Sequence, residues 1–195
     1  MGFGDEVWWS RFARPTMQAW QASDHPLRLV EQERAKADPD PKALACYGLL
    51  ARMRTTVDAP AQDQMLLRFV DGRPVSAVSI DFLAWCSEQL YQAGKTALLL
   101  IWDNAAWHIS TAVRSWLKEH NRQVKAGQRR GVRIVRCLLP SKSPWLNAIE
   151  PKWVHGKRAI VEPDGVLTAT ALAERACAYY GCTHEPHLVQ PKKVA

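Results

Sequence analysis

The chain has 195 residues, 47% hydrophobic and 23% charged, with nine tryptophans and a formal net charge of +7. That length buries a core without a disulfide or structural metal, and the composition excludes a disordered, collagen-like or low-complexity chain. The longest strongly apolar run, Ala97 to Trp102, is too short to span a bilayer.

The first six residues have neither the basic nor the apolar region of a signal peptide. The five cysteines, an odd number, therefore read as reduced thiols of a cytoplasmic protein. Charge is unevenly spread. Between Thr111 and Ile160 there are 12 Lys/Arg and two acids, Glu119 and Glu150, whereas the rest of the chain is slightly acidic. A basic block on a near-neutral background points to a polyanionic partner, nucleic acid before a merely solvated surface.

In chain order, residues 1–9 read as a strand end, with Asp5 and Glu6 between apolar residues. A polar excursion spans about residues 20–42, and its Asp38-Pro-Asp-Pro41 can only turn or link. Ala43–Met53 and Met65–Val70 read as strands, the second closed by Asp71-Gly72. Ser79 is placed to cap a helix from Ile80 to Ala93, with Asp81 in its first turn and Gly94 as its stop. Ala97–Trp102, apolar without alternation, predicts a central strand covered on both faces. Ser110 caps a further helix, along which Arg114, Lys118 and Arg122 form a basic stripe. Asn121–Gly131 reads as a basic loop and Val132–Leu139 as a strand. A turn at Pro140–Pro144 leads into a helix to about Lys157, and Thr168–Tyr180 forms the last helix. The Pro-rich residues 183–195 read as a flexible tail. This order predicts an α/β fold, a mixed sheet with helices on its faces.

Three carboxylates stand out. Asp103 ends the most apolar strand, where it either caps local backbone amides or meets a cation. Glu150 follows Asn147 at capping-box spacing, so it either reaches back to the Asn147 amide or faces outward from a rigid turn before Pro151. Asp5 and Glu6 alternate to opposite sheet faces, so only one of them can join Asp103.

Three blocks carry a family resemblance: Phe3-Gly-Asp-Glu-Val-Trp-Trp-Ser10, Leu99-Leu-Ile-Trp-Asp-Asn-Ala-Ala-Trp-His108, and Leu139-Pro-Ser-Lys-Ser-Pro-Trp-Leu-Asn-Ala-Ile-Glu-Pro-Lys-Trp-Val-His-Gly-Lys157. Together they cover most of residues 1–160, and the chain resembles the catalytic domain of DDE-type transposases. The group it resembles most is the bacterial mariner-like insertion-sequence group (insertion-sequence six-thirty type). The resemblance implies an RNase H-like mixed sheet, three antiparallel strands followed by alternating helix and strand, over residues 1–182. It implies DNA cleavage and strand transfer at insertion-sequence ends, with Asp5, Asp103 and Glu150 as catalytic carboxylates holding Mg²⁺, or Mn²⁺ in its place. Asn104, His108 and Asn147 become supporting residues. Two metal ions about 4 Å apart suit such chemistry, because they hold both the attacking and the leaving oxygen.

Arg114, Lys118, Arg122, Lys125, Arg129, Arg130, Lys142 and Lys157 are the candidates for DNA phosphates. The implied partners are transposon-end and target DNA, a further copy of the chain, and a separate DNA-binding polypeptide. No helix-turn-helix precedes the catalytic block. The implied location is the bacterial cytoplasm, at the nucleoid. Asp103 and Glu150 are 47 positions apart, and the excess is expected in the basic loop at 121–131. A hydrolytic nuclease on the same fold and an inactive DNA-binding remnant remain as alternatives. Cys177-x4-Cys182-x-His184-x2-His187 invites zinc, but its spacing matches no common finger and Cys177 lies among small apolar residues, so packing is the reading here. Trp85, Trp102 and Trp116 are expected in the core and Trp145 exposed.

Overall fold

The computed structural model describes residues 1–12, 35–54, 58–160 and 166–190. Six strands form one sheet: β1 (Gly2–Ser10), β2 (Ala43–Met53), β3 (Gln62–Asp71), β4 (Ala97–Trp102), β5 (Arg133–Leu138) and β6 (Leu188–Val189). Their spatial order is β5-β4-β1-β2-β3-β6. β1, β2 and β3 are antiparallel, and β4 and β5 then run parallel to β1. Four helices flank the sheet: α1 (Ser76–Gln92), α2 (Thr111–Lys125), α3 (Glu150–Ile160) and α4 (Ala169–Tyr180). None of the described helices is long and apolar enough to cross a membrane.

Strand alternation divides the core in two. On β2, Ala45, Tyr47, Leu49 and Ala51 face one cluster with Val78, Phe82 and Leu83 of α1 and Val113 and Leu117 of α2. Leu44, Cys46 and Leu50 face the other, with Trp153 and Ile160 of α3 and Leu172 and Ala176 of α4. β2 is buried on both faces because it lies beneath both helical layers.

Several sequence expectations need correction. α1 begins at Ser76, not Ile80, and Ser79 is a buried residue within it. Its hydroxyl lies 2.8 Å from the Tyr47 hydroxyl and donates to the Val75 carbonyl, so it is a core contact rather than a cap. Asp81 then falls beyond the first turn. β4 has the expected bounds, but its second face is only partly covered: Leu98, Leu100 and Trp102 are buried on one face, while on the other Ile101 is half-buried, Leu99 is 42% exposed and its β5 neighbour Val135 56%. The reason is that α3 and α4 pack against β1–β3 instead. Asn121–Lys125 belong to α2, not to a loop. The Asn121 side chain donates to the Ile134 carbonyl and accepts from the Ile134 amide, which joins the helix to β5.

The polar excursion leaves and returns at a buried clamp. Arg11, 3% exposed, pairs with Asp38 at 2.7 Å and donates to the Asp40, Pro41 and Leu167 carbonyls. Its middle, residues 13–34, lies outside the described residues. The tail is not loose from Thr183. β6 pairs with the end of β3, and Arg68 donates two bonds to the Pro186 carbonyl.

α3 is seated by close packing. Trp9, Trp153 and Tyr180 meet edge to face at centroid distances of 5.7–6.2 Å. Trp153 lies directly over Gly48 of β2, where any Cβ would overlap its ring. Gly48→Ala is therefore expected to destabilise the fold by about 1–3 kcal/mol, as overpacking does. Denaturant unfolding checks this: the midpoint falls while the slope is unchanged.

Candidate active site

The parallel pairing of β1 with β4 matches Gly2 to Leu100 and Phe3 to Ile101. Two residues further along each strand, Asp5 and Asp103 reach the same edge of the sheet. Asp5 shares its face with Phe3, Val7 and Trp9, beneath α3, and Glu6 takes the opposite face, as alternation requires. The turn before α3 is fastened to β1 beside Asp5: buried Asn147 donates from Nδ2 to the Gly4 carbonyl at 3.0 Å. Ile149, fully buried, anchors the next step, and Glu150 opens α3. Trp153, one turn on, donates from Nε1 to Asp5 Oδ2 at 2.8 Å. The capping box does not form, because the Asn147 amide donates to the Pro144 carbonyl at 2.8 Å.

Asp103 caps a local backbone amide, as expected, and also meets a histidine. Oδ1 accepts from the Ala105 amide at 3.0 Å, and His108 Nδ1 stands 2.6 Å from the same atom. The other ring nitrogen, Nε2, stands 2.7 Å from Glu6 Oε1. His108 has no solvent exposure and lies against Trp102, with centroids 3.6 Å apart. Glu6, His108 and Asp103 thus form a continuous chain from the core to an Asp103 side chain that is 48% exposed. Both Asp103 contacts use Oδ1, which leaves Oδ2 for another partner.

Electrostatics separate the carboxylates. Burial, then the charge of Glu150, holds Asp5 up at about 7, against the Trp153 hydrogen bond. Burial, then the charge of Asp103, raises Glu150, and Lys157 opposes the shift. Burial also raises Glu6. Asp103 is lowered, chiefly by its bond from His108. Burial disfavours a charged His108, but its bonds to Asp103 and Glu6 outweigh that and raise it. Glu150 thus links electrostatically to both Asp5 and Asp103, and carboxylates so gathered, two of them with raised affinity for protons, suit a hard cation with oxygen ligands. Among the described residues, no three His, Cys, Asp or Glu side chains stand close enough to grip one ion as they are arranged.

Asn104 is not aimed at these carboxylates: its side chain donates to the Leu139 carbonyl at 2.6 Å and ties the ends of β4 and β5 together. An open cleft of about 370 Å³ lies beside Asp103, lined also by Leu139, Pro140 and Lys142. Lys142, at φ 58°, holds a backbone conformation that side chains other than glycine seldom adopt. Trp145, 74% exposed, lies in the following turn, whereas Trp102 is buried and Trp85 and Trp116 are partly buried against the core.

The basic residues divide. Lys142 lines the cleft, and Lys157 acts on Glu150. Arg114, Lys118 and Arg122 are exposed along α2, Arg122 paired with Glu119 at 2.6 Å. Lys125, Arg129 and Arg130 lie beyond, toward the start of β5 and about 20 Å along the helix from its cap at Ser110. Sequence reasoning missed Glu6 and Trp153 as site residues. The signals were a carboxylate facing inward on a core strand, and the i, i+3 spacing of Trp153 from Glu150.

A family model described as "DDE superfamily endonuclease" matches residues 3–165, a span that holds Asp5, Asp103 and Glu150. The chain belongs to the DDE superfamily endonucleases. No curated protein matches it by sequence. Among solved structures, this DDE chain is similar to a Mos1 transposase paired-end complex with the left transposon end, at 14% identity and TM-score 0.62, over 93% of this chain and 48% of that one. A Mos1 strand transfer complex matches at 13% identity and TM-score 0.59, over 93% and 47%. A pre-cleavage Mos1 transpososome matches at 11% and 0.57, over 94% and 48%. At such identities the likeness is one of fold, the RNase H-like sheet with its flanking helices. The chain spans about half the length of these proteins.

The raised Asp5 has a thermodynamic consequence. Its folded-state value, about 7, exceeds the ordinary 3.8, so its contribution is full below the ordinary value and is lost as pH rises through about 7. Asp5→Asn is expected to make the metal-free protein more stable than the parent at pH 8, with the gain closing toward pH 4. Denaturant midpoints measured in chelator across that range check the sign.

Proposed function

We propose that this chain is the catalytic domain of a transposase, cleaving DNA and transferring the cut strand with divalent metal ions held by Asp5, Asp103 and Glu150. The observation that supports the reading is that, in a DDE superfamily endonuclease, the charge of Glu150 acts on Asp5 and the charge of Asp103 acts on Glu150. Mg²⁺, or Mn²⁺ in its place, fits the all-oxygen donor set. Such ions, when bound, supply Lewis-acid chemistry at the scissile phosphate and at the attacking oxygen, from water first and from a DNA 3′-hydroxyl in transfer.

The remaining work falls to the chain's own groups. Trp153 fixes the Asp5 carboxylate through Oδ2. Asn147 fastens the turn that carries Glu150 to β1. His108, backed by Glu6, holds Asp103 by one oxygen and keeps the other available. Lys142 on the cleft wall and Lys157 beside Glu150 receive the phosphates nearest the cut. Arg114, Lys118 and Arg122 extend the basic track, and Lys125, Arg129 and Arg130 meet phosphates farther along the duplex. One of the similar Mos1 structures is a paired-end complex with a transposon end, which supports DNA of that kind as the partner, and copies of the chain acting together belong to the same proposal. A bacterial insertion sequence as the mobile element, and end recognition by a further DNA-binding polypeptide, belong to the same proposal.

Nicking of supercoiled plasmid tests this. With Mg²⁺ or Mn²⁺ the parent is expected to nick, and Asp103→Ala or Glu150→Ala to lose nicking while the circular-dichroism spectrum stays native. Nicking unchanged in either variant removes that residue from the mechanism. DNA binding without nicking by the parent is the result expected of an inactive remnant. Glu6→Gln, which weakens the hold on His108, is expected to lower the nicking rate roughly 10- to 100-fold, the usual range for partners behind a metal ligand. Single-turnover rates at saturating metal provide the check.

A further inference from the structure

At the β3–β6 edge, remote from the carboxylates, the four residues of the Cys177-x4-Cys182-x-His184-x2-His187 pattern gather near Phe69. The thiols stay with their own helix end: Cys182 Sγ donates to the Cys177 carbonyl at 3.6 Å. The imidazoles behave differently. His187 Nδ1 lies 2.7 Å from Asp71 Oδ1, at the end of β3. Its Nε2 faces the Nε2 of His184 at 3.3 Å. Both rings pack on Phe69, at centroid distances of 5.7 and 6.0 Å.

An ionised carboxylate only accepts, so Asp71 assigns the His187 proton to Nδ1 and leaves Nε2 as a lone pair in the neutral ring. A hydrogen on His184 Nε2, donated to that lone pair, bridges the two rings, and a metal ion that displaces it would bridge them at the same spacing. Zinc–imidazole bonds are about 2.0–2.1 Å, and two of them at the tetrahedral angle set their nitrogens about 3.3 Å apart. A carboxylate behind a histidine ligand is also the usual support of a metal-bound imidazole.

We propose that His184 and His187 form a two-imidazole site for a divalent transition ion of the zinc class, with Asp71 orienting His187 and water completing the shell. Nitrogen donors exclude Mg²⁺ from it, so the site is chemically distinct from the carboxylates. Its effect is structural. An ion there ties residues 184–187 together at the end of β3, where Arg68 already holds the Pro186 carbonyl, and secures the short edge strand β6.

The test is calorimetric titration of the chelator-stripped full chain with Zn²⁺, in excess Mg²⁺ to occupy the carboxylates. The expected result is one equivalent bound, with a rise in thermal midpoint. His184→Gln and His187→Ala are each expected to weaken binding at least about tenfold, and Asp71→Asn roughly tenfold, while Asp103→Ala leaves it unchanged. Because His187 packs on Phe69, its loss can loosen β6, and His184→Gln at native circular dichroism then decides. Binding that survives His184→Gln, or that only Asp103→Ala removes, overturns the assignment. Co²⁺ substitution adds a spectroscopic readout: an intense thiolate-to-cobalt band would place the ion on Cys177 and Cys182 and overturn the two-imidazole shell.

Discussion

The candidate site depends on one buried imidazole held at both ends. His108, without solvent exposure, has a carboxylate at each ring nitrogen, 2.6 and 2.7 Å away. Taking such groups out of water is expensive, and the arrangement persists because each partner answers the other. Its ends lie on different strands, Glu6 within β1 and Asp103 just past β4. The chain of bonds therefore fixes the lateral relation of two neighbouring strands at the edge where Asp5 and Asp103 emerge. It also sets the direction of Asp103, since one oxygen is committed inward. Trp102 closes one side of the imidazole.

The third carboxylate comes from another layer and needs other means. Asn147 fastens its turn to the β1 backbone, and Trp153 bonds Asp5 from the first full turn of α3. Gly48 makes the approach of that indole possible, and Trp9 and Tyr180 box it in. Packing that stabilises the fold thus also sets the height of Glu150 above the sheet. Burial, and after it the neighbouring negative charge, raises Asp5 and Glu150, a strain that a cation relieves.

Much of this was legible in the sequence, for identifiable reasons. β2 and β4 appeared with their correct bounds because β4 is an uninterrupted apolar run between polar residues and β2 is predominantly apolar, broken only by Gly48 and by Arg52 near its end. Ser110 caps its helix as local chemistry dictates, accepting from the amide three residues on, and Thr168, expected inside the last helix, caps that helix in the same way. The start of α1 was misplaced because Ser79 resembles a cap in sequence, and only Tyr47, brought near by the fold, gives its hydroxyl another use. The partly exposed face of β4 was hidden for a similar reason: composition cannot tell which strands a later helix will cover. Glu6 was passed over because its partner is 102 positions away. Likewise, the charge stripe that looked uniform in sequence runs from the site toward the far end of α2, since a helix carries its residues away from its cap.

The central claim is that Asp5, Asp103 and Glu150 hold metal together. The most direct measurement is an anomalous-difference map from crystals of the chain grown with Mn²⁺. The account predicts Mn²⁺ density bounded by these three carboxylates, with Asp103 still bonded to His108 through one oxygen. Density at other residues, or Asp103 turned away with its Oδ2 remote from the ion, would contradict it.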